Sequence, residues 1–233
     1  MVTLRQQQLL KEIVEKYIAE VEPISSKLLA SNLPVSSATI RNEMNELEKL
    51  GFIYQPHTSA GRVPTASGYR FYVENFLNKT STVSESEKEK ILQVWQSKDE
   101  SLEVILKSIA KEISEVTSNA VLVGFTLQSF YYTGLSRLFN QPEFNEVDLV
   151  RSISYVVDHL DETIRKIFNE IDEIEVRIGN DNPFGRDCSV VIAKFPFQRS
   201  QGVFGILGPA RMDYQKNFSL LSFVRQLTTQ AHE

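Results

Sequence analysis

Between Ser36 and Pro64 a strong helical pattern runs without interruption into a short alternating one, and no other feature of the sequence narrows the fold as far. Ile40, Met44, Leu47 and Leu50 recur at helical spacing and form one apolar stripe, so this helix has to lie against a core. Ser36 stands just before the run, where its hydroxyl can accept from the unpaired amides of the first turn. A rotation of about 100° per residue puts Ala38, Asn42, Asn45 and Lys49 on the opposite face, with Thr39 and Arg41 on its flanks. None of these six is acidic or both bulky and apolar. Gly51 is placed to end the helix, residues 52–55 alternate as a short strand, residues 56–61 suit a loop, and Val63 can return as a second strand.

The preceding residues supply the rest of a known arrangement. Leu10, Ile13, Val14, Tyr17, Ile18 and Val21 predict an amphipathic helix from Leu4 to Glu20. Pro23 breaks it, Ser25 or Ser26 offers the next N-cap, and residues 27–30 leave room for a second, short helix. A short helix, a tight turn and a longer helix make a helix-turn-helix, and the strand-loop-strand after it is a wing. A helix that enters a groove of duplex DNA needs small residues near its start and forked or amide side chains for base edges and phosphates. Ser37, Ala38, Thr39, Arg41, Asn42 and Asn45 meet that description. The same pattern also fits an ordinary surface helix with a polar outer face.

Charge favours the DNA reading. The chain as a whole is acidic, with net charge −5 and a pI near 5.4, which argues against indiscriminate affinity for nucleic acid. From Lys49 to Val73, however, there is no Asp or Glu, while Lys49, Arg62 and Arg70 are cationic and His57 can donate. His57, Thr58, Ser59 and Arg62 are therefore expected to hold the phosphate backbone or the adjacent minor groove, with Lys49 and Arg70 adding phosphate contacts. The alternative is a wing that packs only on its own domain.

The second half predicts an α+β domain. Leu102, Ile105, Leu106, Ile109, Ile113 and Val116 form one helical stripe, and Ile153, Val156, Val157, Leu160, Ile164, Ile167 and Phe168 form another. Strand-like runs at residues 120–126, 130–133, 174–178, 189–195 and 203–207 supply a sheet, and a last helix carries Leu220, Leu221, Phe223, Val224 and Leu227. With neither a βαβ rhythm nor a glycine-rich phosphate loop, a mostly antiparallel sheet flanked by helices is expected. The expected domains are residues 1–80 for the winged helix-turn-helix, 81–100 for a Ser/Thr/Glu/Lys-rich linker opening into a helix, and 101–233 for the regulatory and dimerisation domain.

The first eighty or so residues resemble the DNA-binding domain of the HrcA family of bacterial heat-inducible transcription repressors. The resemblance lies in Leu4-Arg-Gln6, Ser37-Ala-Thr-Ile-Arg-Asn-Glu-Met44, Leu47-Glu48, Pro56-His-Thr-Ser-Ala-Gly-Arg-Val-Pro-Thr65 and Gly68-Tyr-Arg-Phe-Tyr-Val73. Thr133-Gly-Leu-Ser136, Asn140-Gln-Pro-Glu-Phe144, Ile178-Gly-Asn180 with Asn182, and Gly205-Ile-Leu-Gly-Pro-Ala-Arg-Met-Asp-Tyr214 are similar to blocks of the family's GAF-like C-terminal domain. The resemblance implies an inverted-repeat operator of the CIRCE type upstream of chaperone operons, release on heat shock, and the GroEL chaperonin as a partner in recovery of the active fold. Members of the family carry an inserted dimerisation segment, whereas here residues 121–125 lead within a few residues to Phe130-Tyr-Tyr132, so that segment is missing. A single recognition helix reads only a few base pairs, so a homodimer on the repeat is still expected. Its contact then falls to exposed helix or sheet surface of the second domain, with the helices after Ser84.

Other chemistry is poorly supported. His57, His159 and His232 are scattered without metal-ligand spacing, and neither a metal nor another cofactor is expected. Cys188, the only cysteine, rules out a disulfide within the chain and reads as a small apolar filler in a cytoplasmic protein without signal peptide or long apolar segment. Arg211 and Asp213 are the most site-like polar pair outside the first domain and are expected to order a turn after a buried strand. The acidic run at residues 158–162 reads as a solvated helix face. Rival readings are a winged-helix regulator whose GAF-like domain senses a small metabolite, and an enzyme or protein-interaction module in which the winged helix contacts protein. No enzymatic activity is expected.

Overall fold

The computed structural model describes residues 2–31, 35–97, 101–145, 160–171 and 173–231, and the chain divides between Leu77 and Asn78 into two units.

In the first unit, α1 (Leu4–Glu20) starts at Thr3, which forms a capping box with Gln6, and buries Leu9, Leu10, Ile13 and Val14. Ser25 caps α2 (Ser26–Ala30) by accepting from the Leu28 amide at 3.2 Å, which decides between the two serines. Ser36 caps α3 (Ser37–Lys49) as its position predicts, and Ile40, Met44 and Leu47 are buried. Leu50 departs from the expected stripe and is 47% exposed. It is the C-cap, one residue past the last helical position, where the chain turns away and helical spacing stops carrying side chains to the core. Gly51 at φ +77° permits that turn: its amide bonds the Glu48 carbonyl at 2.9 Å and the Phe52 amide bonds the Leu47 carbonyl at 3.0 Å.

β1 (Ile53–Tyr54) and β2 (Val63–Pro64) pair antiparallel, and Ile24 adds a bridge to Arg62 on the far side of the wing. α4 (Ala66–Phe76) then packs on α1, burying Tyr69 and Tyr72. The periodicity of the sequence does not announce this helix. Tyr, Phe and Val favour strands by propensity, and here burial against α1, with the Thr65 cap on the Gly68 amide, overrides that preference.

The second unit begins earlier than its composition suggests. Within residues 81–100, expected as a linker opening into a helix, the helix is present, but Val83 and Ile91 are buried and α5 (Glu85–Trp95) packs on α6 (Leu102–Thr117). Lys216 ties this helix down, its ammonium 2.6 Å from Glu87 and 2.8 Å from the Val116 carbonyl. Burial alone raises the Glu87 carboxyl, but the hydrogen bonds and charge of Lys216 and Ser84 outweigh it and hold the group below its ordinary value.

β3 (Ala120–Gly124), β4 (Phe130–Thr133), β5 (Ile174–Ile178), β6 (Cys188–Phe197) and β7 (Ser200–Pro209) form one antiparallel sheet in the order β4-β3-β7-β6-β5. β3 and β4 are joined by a tight hairpin in which the Phe125 amide bonds the Ser129 carbonyl at 2.8 Å, so nothing is inserted between them. α7 (Leu135–Phe139), α8 (Leu160–Glu170) and the loop at Phe184 share a buried cluster with one face of the sheet. α6 and α9 (Tyr214–Gln230) pack on the sheet strands as well, α6 on β3 and α9 on β6. Of the expected stripe from Ile153 to Phe168, the part before Leu160 lies outside the described residues, and Ile167 is buried as expected. Cys188 is buried at the start of β6, and burial with the neighbouring Asp187 carboxylate pushes its thiol up to about 12, the state of an unreactive filler.

Candidate nucleic-acid interface

The outer face of α3 is open where a groove-reading helix has to be. Ser37, Ala38, Arg41, Asn42 and Lys49 are exposed, while Thr39 and Asn45 are half-buried. The Thr39 hydroxyl lies 3.0 Å from the Ser36 hydroxyl, inside the N-terminal cap. Among the described residues, Arg41 and Asn42 make no side-chain hydrogen bond or ion pair.

The acids of α3 are disposed differently. Glu43 turns toward α1, accepting from the Gln6 side-chain amide at 2.9 Å and facing Arg5 at 3.7 Å. Glu46 pairs with Lys49 at 2.7 Å, and Glu48 pairs with Arg62 at 2.9 Å. Each carboxylate of the helix thus has a cationic partner, while the guanidinium of Arg41, among the described residues, has no carboxylate partner. Sequence reading could identify the cations but not this division among them.

The wing is built from a tight turn held from within. The Ala60 amide bonds the His57 carbonyl at 2.8 Å. The Gln55 side chain donates to the carbonyls of Thr58 at 3.0 Å and Ala60 at 2.8 Å, and the His57 ring lies 3.2 Å from the Ser59 hydroxyl. Gln55 is a residue that sequence reading missed; its only signal was an amide side chain at the entrance to the loop. His57, Thr58 and Ser59 are exposed at the tip.

At the base of the wing, the backbone of Arg62 pairs with Ile24 in both directions, at 2.8 and 2.9 Å. The Arg62 side chain is only 12% exposed and donates through Nη2 to Glu48 at 2.9 Å and Asn45 at 3.1 Å. Between α3, the start of α2 and the wing lies an open cleft of about 410 Å³, whose lining includes Ser25, Arg41, Asn45, Thr58, Ser59 and Arg62. The fold therefore gathers Arg41, Asn45, Thr58, Ser59 and Arg62 around one concavity. Arg70 lies on α4 and lines no part of that cleft, and Asn42 and Lys49 border a shallower surface on α3 with Glu46 and Glu48.

In the second unit, Asp213 caps α9 by accepting from the Lys216 amide at 2.9 Å, and Arg211 binds the Glu143 carboxylate and, at 3.2 Å, the Gln141 side chain. These bonds order the turn after β7, as expected, and join the family-like blocks at residues 140–144 and 205–214. His159 and His232 lie outside the described residues. Among the described residues no group of three His, Cys, Asp or Glu side chains could hold a metal ion, and no helix is long and apolar enough to cross a membrane.

Comparison with known proteins agrees with this geometry. A family model described as "Winged helix-turn-helix transcription repressor, HrcA DNA-binding" matches residues 1–76, and one described as "HrcA protein C terminal domain" matches residues 72–217. The heat-inducible transcription repressor HrcA of Carboxydothermus hydrogenoformans is 28% identical over 330 residues, covering 96% of each chain. That of Brevibacillus brevis is 26% identical over 339 residues, covering 99% of each. An alignment of 330 positions against a chain of 233 residues leaves at least 97 positions of the first relative without a counterpart here. A crystal structure of a hypothetical protein, 22% identical and covering 98% of both chains, has the same fold with a TM-score of 0.79.

Proposed function

The chain belongs to the HrcA family of winged helix-turn-helix transcription repressors, and from that premise we propose that it represses heat-shock genes by occupying a CIRCE-type inverted repeat as a dimer and releases it on heat stress. The observation that carries this reading is the charge arrangement on α3, where Glu43, Glu46 and Glu48 are each paired and Arg41, among the described residues, stands unpaired beside the wing cleft. Ser37, Ala38, Thr39, Arg41 and Asn42 are proposed for base edges and nearby phosphates. His57, Thr58 and Ser59 hold the backbone or the adjacent minor groove, and Lys49 and Arg70 add phosphate contacts. GroEL as the partner in recovery rests on the family resemblance alone, and action on an operator places the protein in the cytoplasm. Metabolite sensing finds no support in Arg211, whose guanidinium is occupied by Glu143 and Gln141.

Replacing Arg41 by alanine is expected to weaken operator binding by about 1–3 kcal/mol and to relax base preference, as for a direct reader. A band-shift titration with operator variants and scrambled DNA at two salt concentrations measures both. Unchanged selectivity across half-site variants would remove Arg41 from this role.

The dimer contact is assigned to the second unit, at the edge strand β4. Phe130 and Tyr132 are 36% and 44% exposed, and no charged residue occurs between Thr126 and Ser136 to guard the edge. Since Phe125 and Ser129 are hydrogen-bonded across the hairpin, alternation turns the peptide groups of Tyr131 and Thr133 toward β3 and those of Phe130 and Tyr132 outward. A second copy of β4 laid antiparallel matches this edge with itself, each Phe130 facing the other copy's Tyr132, as a two-fold contact requires. Sedimentation at micromolar concentration is expected to show a dimer, and Tyr132→Lys a monomer. A wild-type monomer, both free and on a full operator, would refute the assignment.

A further inference from the structure

Arg62 lies within the acid-free wing, where its charge suggests a phosphate contact, but its surroundings give it different work. Its side chain is largely covered, Nη2 is divided between Glu48 at 2.9 Å and Asn45 at 3.1 Å, and Nε is buried without a hydrogen-bond partner among the described residues. Glu48 in turn uses its other oxygen to accept the Gln55 amide at 3.0 Å, at the point where the chain enters the wing. The two ends of the wing therefore converge on one carboxylate of α3. We propose that Glu48 and Arg62 are positioning residues, a latch that fixes the wing on the recognition helix, and that Arg62 makes no phosphate contact. The proposal rests on reading the first unit as a DNA-binding domain.

Electrostatics explains why the guanidinium stays in place. Were Arg62 to reach for a phosphate, Glu48 would be left uncompensated on the helix that approaches the DNA, and its repulsion would offset the attraction between guanidinium and phosphate. Held in the latch, the pair presents little net charge and the Gln55 amide keeps its acceptor. Asn45, expected to face DNA, is turned to the same task, since its carbonyl oxygen accepts from Arg62. The backbone bridge to Ile24 fixes the same residue from the opposite side. His57, Thr58 and Ser59 are thus carried on a base whose position relative to α3 is set before DNA arrives, so less ordering remains to be done on binding.

The test compares Arg62→Met, Glu48→Gln and the double variant in the full chain, on an inverted-repeat duplex across a salt series. The latch requires each single variant to lose affinity, roughly tenfold for a charge-assisted hydrogen bond, and the double variant to be no weaker than the worse single. The slope of log affinity against log salt stays that of the wild type, whereas loss of a phosphate contact makes it shallower by about 0.9. Glu48→Gln discriminates most sharply, because it keeps an acceptor for the Gln55 amide and removes only the charge. Tighter binding by that variant, a shallower slope for Arg62→Met, or unchanged affinity in either single variant overturns the proposal. A second readout does not depend on DNA: hydrogen exchange at the Gln55 amide of the free protein speeds up in Arg62→Met. Unchanged exchange refutes the latch whatever the duplex does, while a wild type that ignores the duplex refutes the DNA reading alone.

Discussion

Replacing Gly61 by valine should weaken operator binding by roughly two orders of magnitude while leaving the second unit folded. A Cβ at this position would stand 2.4 Å from both the carbonyl carbon and the oxygen of Ile24 and 2.5 Å from the Pro23 oxygen. All three are backbone atoms, so no rotamer change relieves the clash. The Ile24–Arg62 bridge has to open, and with it goes the anchor of the wing on the connection between α1 and α2. Overpacking in a tight site ordinarily costs about 1–3 kcal/mol. Here the loss falls on the phosphate contacts proposed for the wing as well, so affinity for all duplexes should drop by roughly two orders of magnitude. Band shifts measure that drop, and a thermal melt of the same sample should retain the transition of the second unit. Wild-type affinity in this variant would mean that the wing base can move without consequence, and both the bridge and the latch would lose their assigned importance.

The second large effect belongs to the other unit. Tyr214 is fully buried at the first position of α9, its hydroxyl donating to the Ala210 carbonyl and lying 2.9 Å from the Ser189 hydroxyl on β6. Burial drives its phenol well above the ordinary tyrosine range despite the Ser189 bond. Tyr214→Ala deletes the ring and strands both partners. By analogy with other large aromatic truncations the cavity costs about 3–5 kcal/mol, and the unsatisfied groups add about 1–3 kcal/mol more. A sum of that size approaches the whole stability of an ordinary domain, about 5–15 kcal/mol. Chemical denaturation should show the second unit largely unfolded or close to it, while Tyr214→Phe, which keeps the ring, should lose only the polar share. A denaturation midpoint for Tyr214→Ala close to the wild-type value would show that this ring does not join α9 to the sheet.

Much of the first unit could be read without coordinates because its signals are local. Ser36 before an apolar stripe starts α3, and Gly51 supplies the positive φ that lets the chain leave it. The strands of the second unit were legible for a related reason: alternating or continuous β-branched and aromatic runs bounded by turn residues leave few other options, and β3 to β7 fall on the expected runs. The short α7 went unannounced, and two other helices were legible only in part or not at all. α4 is composed of residues that favour strands, and α5, expected only as the end of a linker, begins in a Ser/Glu/Lys-rich stretch. Each is stabilised by a surface that the segment itself does not contain, α1 in one case and α6 with Lys216 in the other.

The candidate site divides along the same line. The residues between Ser36 and Pro64 are enough to specify a capped helix, its buried stripe, its polar outer face and a wing without acids, because caps, helical spacing and alternation act over a few residues. Which charges remain available to DNA was settled only when the chain closed on itself. Glu48 and Arg62 are fourteen positions apart, and their pairing depends on the wing folding back over α3. That closure engages Arg62 with Glu48 and Asn45 and leaves Arg41, among the described residues, exposed and unpaired beside the cleft. A cation's sequence position states its charge, but the anion that charge will meet depends on desolvation and distance, which exist only in the folded chain.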